Sequence, residues 1–285
     1  MLAACAMGVD ELALLNELMT DELGLWFPEH KREILESRLA ARIGTLGLRT
    51  FLDYYVLLQH DAGNGRKEIA QLADLVTNNE TYFFRETYQF DALFSDALDE
   101  MKAATGGTRP IRFLSAGCSS GEEPYTLSIY ARENQYRMFG YDVMIDAFDI
   151  SRTRIAMCER AQYARSALRG VTEEQTDRYF ISEEGNHTLK QPFRKGVSFR
   201  VGNLLHDEPY GLPGNYDAVF CRNVLIYFPE GSIVAAVDRF HRALRKDGLL
   251  FLGHSESIIG LTRAFEPVRI GSSIAYRRNN AYVPS

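Results

Sequence analysis

The run Phe113-Leu-Ser-Ala-Gly-Cys-Ser-Ser-Gly-Glu-Glu-Pro124 leaves few folds open, because it carries an apolar strand into a glycine-bearing turn and directly on into a helix. In an open α/β sheet, ligands sit beyond the carboxyl end of such a strand, where small residues let them approach the backbone. Gly117 and Gly121 are those small residues. Glu122 and Glu123 open the helix, and an acidic pair at its positive end repels a pyrophosphate while accepting an ammonium or a ribose hydroxyl. The pocket therefore suits S-adenosylmethionine better than NAD.

The residues on either side have different textures. From Asp10 to about Thr77 apolar residues such as Leu35, Leu39, Ile43 and Leu46 recur at helical steps, with Asp61-Ala-Gly-Asn-Gly65 as a breaker between helices. The polar, glycine-rich segment Thr105 to Pro110 reads as the hinge between a helical domain, 1–108, and a second domain, 109–285. Strands and helices alternate after Pro110, which predicts a mostly parallel sheet covered on both faces. The strands are expected at Ile111 to Ala116, Val143 to Ile150, Val197 to Leu205, Tyr216 to Cys221 and Leu249 to Gly253, with Ser273 to Arg277 closing the sheet as an edge hairpin. Helices are expected over Pro124 to Gln135, from Ser151 to about Tyr163, and over Gly231 to Leu244. Tyr179-Phe-Ile181, Glu183-Glu-Gly-Asn186 and Thr188-Leu-Lys interrupt that rhythm and predict a small antiparallel insertion near 164–196, a short hairpin around a turn.

The 285 residues and 46% hydrophobic content are enough for a sizeable core, and the formal charge of −6 argues against a general nucleic-acid binder. Cys5, Cys118, Cys158 and Cys221 form no Cys-x-x-Cys pair, so neither a disulfide framework nor a metal site is expected and a reducing cytoplasm is the simple reading. Leu2-Ala-Ala-Cys5 lacks the basic start and apolar run that export needs. No apolar stretch approaches the ~20 residues of a membrane span.

Four further places carry candidate chemistry, each with a plainer alternative. Thr77-Asn-Asn-Glu-Thr-Tyr-Phe-Phe-Arg-Glu86 offers polar side chains and an arginine, or simply a capped helix start with Phe83 and Phe84 in the core. Asp149, ending the second strand, either accepts ribose hydroxyls or caps the next helix. Asn203 either presents amide groups to an adenine edge or makes a turn. Arg222, Asn223 and Tyr227 follow the fourth strand, near the expected cleft, where Tyr227 and Phe228 could equally be core.

Six pieces in order resemble the bacterial chemotaxis receptor glutamate methyltransferases: Asn-Glu-Thr-Tyr-Phe-Phe-Arg-Glu, Ser-Ala-Gly-Cys-Ser-Ser-Gly-Glu-Glu-Pro-Tyr, Phe-Asp-Ile-Ser, Asn-Leu-Leu, Phe-Cys-Arg-Asn-Val-Leu-Ile-Tyr-Phe and Gly-His-Ser-Glu. The resemblance spans nearly the whole chain. It implies an α/β fold with a Rossmann-like S-adenosylmethionine methyltransferase sheet and a small antiparallel β insertion, preceded by an all-α N-terminal domain that docks on the receptor. It also implies a cytoplasmic, monomeric enzyme that methylates glutamates on the cytoplasmic helices of chemoreceptors and releases S-adenosylhomocysteine. The implied cofactor pocket comprises Asn79, Thr81, Arg85, Gly117, Glu122, Asp149, Asn203, Leu204, Arg222 and Asn223. Arg85 and Tyr227 match the residues beside the transferred methyl. Lys31, Arg38 and Arg42 fall within a narrow helical arc that would dock the acidic acceptor. With 8 basic against 13 acidic side chains over residues 1–85, a solvated helix face is the alternative.

Overall fold

The computed structural model describes residues 6–60 and 65–283, so Leu2-Ala-Ala-Cys5 and most of the Asp61–Gly65 breaker lie outside the described residues. The chain begins with α1 Val9–Leu23, α2 Arg32–Thr45, α3 Phe51–His60 and α4 Gly65–Val76, followed by α5 Thr87–Ala92 and α6 Leu98–Thr105. At the start of α1, Glu11 reaches back to the N–H of Gly8 at 2.8 Å and satisfies a donor that the helix start would leave open. Gly24 ends α1 at φ 76°, and a Cβ there would stand 2.7 Å from the ring of Phe228, so the position needs a glycine for space as well as for its dihedral. Leu15, Leu35, Leu39, Tyr54 and Leu72 meet in the apolar centre of these first four helices.

The remaining elements are β1 Ile111–Ala116, α7 Glu122–Glu133, β2 Val143–Asp149, α8 Arg152–Arg160, β3 Gln162–Ala164, α9 Glu173–Tyr179, β4 Phe180–Glu183, β5 Asn186–Leu189, β6 Val197–Val201, β7 Tyr216–Cys221, α10 Glu230–Ala243, β8 Leu244–Leu252, β9 Phe265–Ile270 and β10 Ser273–Arg278. Seven strands make one sheet in the order β6-β2-β1-β7-β8-β10-β9. Strands β6, β2, β1, β7 and β8 run parallel, and β10 is antiparallel to both β8 and β9. The chain builds outward from β1 through β2 to β6, then returns to the other side of β1 with β7. That reversal opens a crevice at the carboxyl ends of β1 and β7.

Several boundaries differ from the sequence reading. The core divides near residue 77 rather than at 108, because Phe90, Phe94, Leu98 and Met101 from the α5–α6 stretch pack with Phe113, Ile145, Phe220 and Phe251 of the sheet. The Thr105–Pro110 segment is thus a turn inside the second unit. Strand β10 lies inside the sheet and β9 forms the edge. Helix α8, whose first turn is capped by Ser151 Oγ accepting from Arg154 N at 3.1 Å, stops at Arg160, and Ala161 turns left-handed at φ 52°. Tyr163 then belongs to β3, which joins the expected hairpin β4–β5 to make a three-stranded antiparallel sheet. Among the described residues no helix is long and apolar enough to cross a membrane.

Candidate functional site

A cleft of 310 Å³ lies at the strand reversal, walled on one side by the end of α1, the start of α2 and the segment that leaves α4, and on the other by the carboxyl ends of β1, β2, β6 and β7. The β1 turn passes so close beneath the loop after β7 that a Cβ on Gly117, at φ 81°, would meet Val224 at 2.7 Å. Four non-glycine residues on or beside the cleft hold left-handed backbone: Phe84 at φ 60°, Glu86 at 56°, Ser119 at 48° and Asn223 at 60°. Such a conformation costs on the order of 1 kcal/mol each and persists only where surrounding bonds impose it.

Those bonds are present. Asp149, buried at the end of β2, accepts from Ser119 N at 2.8 Å with one carboxylate oxygen and from Ser151 N at 2.9 Å with the other. Burial raises its pKa, and the two N–H groups oppose that shift. Each oxygen keeps a lone pair for a further donor in the cleft, so holding the helix entry and receiving a ligand hydroxyl are compatible roles. Beyond β7, the carboxylate of Glu256 accepts from the backbone N–H groups of Asn223, Val224, Leu225 and Gly253 at 2.7, 2.8, 2.7 and 2.6 Å. This one side chain fixes the turn that carries Asn223 and Tyr227 into the cleft. Sequence reasoning gave Glu256 no role, since its donors come mainly from a loop some thirty residues upstream.

Arg222 is buried and stacks over Phe90, its Cζ 5.1 Å from the ring centroid. It pairs with Glu86 and Glu123, each at 3.2 Å, and donates to the carbonyl of Arg85 at 2.6 Å. Burial would raise Glu86, but His254 and Arg222 outweigh it and hold the carboxyl below its ordinary value. Arg85 itself lines the cleft, gives one nitrogen to Glu80 O at 3.1 Å, and makes no ion pair among the described residues. Across from it, the Tyr227 hydroxyl accepts from Asn78 Nδ2 at 2.7 Å, which leaves the phenolic proton available.

The other expected residues divide. Asn79, Thr81, Gly117, Leu204 and Asn223 line the cleft. Asn203 lines it too, with its amide half engaged: Nδ2 donates to Glu22 O at 2.7 Å and Oδ1 accepts from Leu205 N at 2.9 Å, which leaves one N–H and one lone pair. Strand β6 ends at Val201, so Asn203 sits in the following turn rather than at the strand end. Glu122 is the clearest departure. It points away from the cleft, which is lined by Glu123 instead, and bonds Ser120 Oγ at 3.0 and 2.8 Å; burial pushes its carboxyl up to about 7. Lys31 and Arg38 line the cleft mouth, whereas Arg42 is engaged by Glu68 at 2.6 Å.

The acceptor groups at the cleft fit the hydroxyl and amino donors of an adenosyl cofactor. Asn223 Oδ1 is buried against the cleft with no partner among the described residues, and Asp149 provides the acidic end of β2. Residues 10–77 match the family model described as CheR methyltransferase, all-alpha domain, and residues 79–274 match that of the CheR methyltransferase, SAM binding domain. The break between the two matches coincides with the division of the core. Three proteins named chemotaxis protein methyltransferase are similar along nearly their whole length. That of Vibrio parahaemolyticus is 35% identical over 266 residues, covering 92% of this chain and 94% of its own. That of Borreliella burgdorferi is 32% identical over 255 residues, covering 88% and 89%. Pseudomonas aeruginosa has one, numbered 1, that is 34% identical over 272 residues, covering 94% and 97%.

Proposed function

The chain belongs to the CheR methyltransferase family, an S-adenosylmethionine-dependent methyltransferase family, and we propose that it methylates glutamate side chains on the cytoplasmic helices of chemotaxis receptors. The observation that carries this reading is the convergence of Asn79, Asp149 and Asn223 with Arg85 and Tyr227 around one cleft. The products are a glutamate methyl ester and S-adenosylhomocysteine, and the reaction takes place in the cytoplasm.

S-adenosylmethionine supplies an electrophilic methyl group when bound. Asp149, Asn223 and the backbone beside Asn203 and Leu204 would hold its adenosyl portion, with Asn79 and Thr81 on the helical side. An acceptor carboxylate has a pKa of about 4.3 and is already ionised at neutral pH, so the chain needs no general base. That is consistent with the cleft, whose lining among the described residues contains no histidine. The protein's task is orientation, which can lower a barrier by several kcal/mol. Arg85, tied through its carbonyl to Arg222, would steer the acceptor carboxylate, and Tyr227, which lines the same cleft, would offer an aromatic face to the sulfonium, a cation–π contact of about 0.5–2 kcal/mol.

Incubation with labelled S-adenosylmethionine and receptor cytoplasmic domain should give base-labile methyl esters. A folded sample that binds S-adenosylhomocysteine by calorimetry yet labels no receptor would overturn the reading.

A further inference from the structure

The segment after α1 presents the chain's one tryptophan to the cleft mouth on backbone that has no freedom left. Gly24 N donates to Thr20 O at 3.0 Å and Leu25 N to Met19 O at 3.1 Å, closing the helix end. Trp26 N donates to Tyr227 O at 3.1 Å. Phe27 is clamped by the buried Asn16, which accepts from its N–H at 2.9 Å and donates to its carbonyl at 2.8 Å. Four successive N–H groups are therefore bonded. On this fixed segment the Trp26 side chain stays 48% exposed, and Ile34, also lining the cleft, is 47% exposed.

Single exposed apolar residues are ordinary, but an exposed indole held on rigid backbone beside a second exposed aliphatic is a preorganised contact surface. Tryptophan is also the side chain most enriched at binding hot spots. Lys31 lies between the two in sequence and lines the same mouth, so the lip combines apolar area with positive charge. Its complement is an acidic segment carrying an apolar side chain close to the carboxylate that enters the cleft. On a helical acceptor the two lie on one face when spaced three or four residues apart.

We infer that Trp26, with Ile34, is the specificity surface that grips an apolar side chain of the acceptor next to the target glutamate. The inference rests on the methyl-transfer reading above and adds to it the sequence preference of the acceptor. The bond from Trp26 to the carbonyl of Tyr227 joins this grip to the residue beside the reacting methyl.

The test is methyl-transfer kinetics on the full chain with receptor cytoplasmic domain, for wild type, Trp26→Ala and Trp26→Phe. Trp26→Ala should raise the acceptor KM about tenfold or more, with kcat and the S-adenosylmethionine KM held within about twofold, and Trp26→Phe should recover most of the loss. Because the chain has a single tryptophan, its emission reports on the site directly: receptor added to enzyme saturated with S-adenosylhomocysteine should shift it to the blue and shield it from acrylamide. An unchanged acceptor KM overturns the inference, as does a cofactor KM that rises in step with it, which would assign the indole to the cofactor. If the wild type methylates no receptor at all, the functional reading has failed and the inference falls with it. Unfolding of Trp26→Ala is checked by circular dichroism; should it occur, the Phe variant and the wild-type emission decide.

Discussion

Arg222 donates to the backbone carbonyl of Arg85 at 2.6 Å, so a buried guanidinium holds in place the exposed-facing one that reaches the cleft. Flanking residues Phe84 and Glu86 are both left-handed, and Arg222 pairs with Glu86 at 3.2 Å as well. The two arginines should therefore fail differently when replaced. Arg222→Met takes the guanidinium from between Glu86 and Glu123 and should cost about 3–5 kcal/mol of stability by urea unfolding. Arg85→Ala should unfold like the wild type and lose about 100-fold in kcat/KM through lost orientation.

Glu256 makes four backbone contacts on the turn that carries Asn223 and Tyr227. Glu256→Gln retains the shape but replaces one acceptor oxygen with a donor that faces N–H groups. It should destabilise the fold by about 2–4 kcal/mol and raise the cofactor Kd, both measurable by unfolding and by S-adenosylhomocysteine calorimetry. A Gln variant with wild-type stability and affinity would show that the turn holds itself.

Asp149 joins the β1 turn to the start of α8 while facing the cleft. Replacement by Ala should weaken S-adenosylhomocysteine binding by about 1–3 kcal/mol, read by calorimetry. Unaltered affinity would confine Asp149 to holding the backbone.

The buried carboxyl of Glu122 titrates at about 7, against 4.5 ordinarily, because burial disfavours its charge. A carboxyl raised in this way binds its proton more tightly in the native state, so its stabilising contribution is complete below about 4.5 and is lost as pH rises through about 7. Relative to Glu122→Gln, which stays neutral, the wild type should lose on the order of 3 kcal/mol between about pH 4.5 and 8. Parallel stability curves for the two proteins across that range would exclude the assignment.

Lys31, in the turn just before α2 rather than on the expected helical arc, and Arg42, within α2, should do different work. Arg42 pairs with Glu68, which also accepts from the Tyr54 hydroxyl at 2.9 Å, so Arg42→Ala should destabilise the helical unit by about 1–3 kcal/mol and leave acceptor binding at saturating cofactor unchanged. Lys31→Ala should raise the acceptor KM a few-fold, and the difference from wild type should shrink as salt is added. Equal salt dependence in the two would remove Lys31 from the acceptor path.

What could be read from the chain, and what could not, follows from the range of the interactions involved. The β1 turn, the Ser151 cap and the position of Asp149 are local events, and local patterns reveal them. The domain division was displaced to 108 because a polar, glycine-rich stretch looks the same whether it joins domains or merely enters a strand. Only the packing of Phe90 and Phe94 on the sheet tells these apart. Asn203 was readable as a turn residue, whereas the partner of its amide, Glu22 O, is 181 positions away. Glu122 and Glu123 are adjacent acids at one helix start, and nothing in the letters says which of them faces the ligand. Trp26 was passed over because an isolated tryptophan between helices has no pattern, and its meaning comes from the carbonyl of Tyr227.

Gly24 has only a hydrogen where Phe228 leaves room for nothing larger. The helical unit and the sheet unit are thus keyed to each other at this near-contact, immediately before the tryptophan, as well as through the bonds from Trp26 to Tyr227 O and from Asn203 to Glu22 O. Anyone grafting the helical half of a relative onto this sheet must carry residue 24 and residue 228 as a matched set. A chimera that brings a larger residue to 24 would be pried apart at the seam, and the indole would be moved off the cleft it now borders.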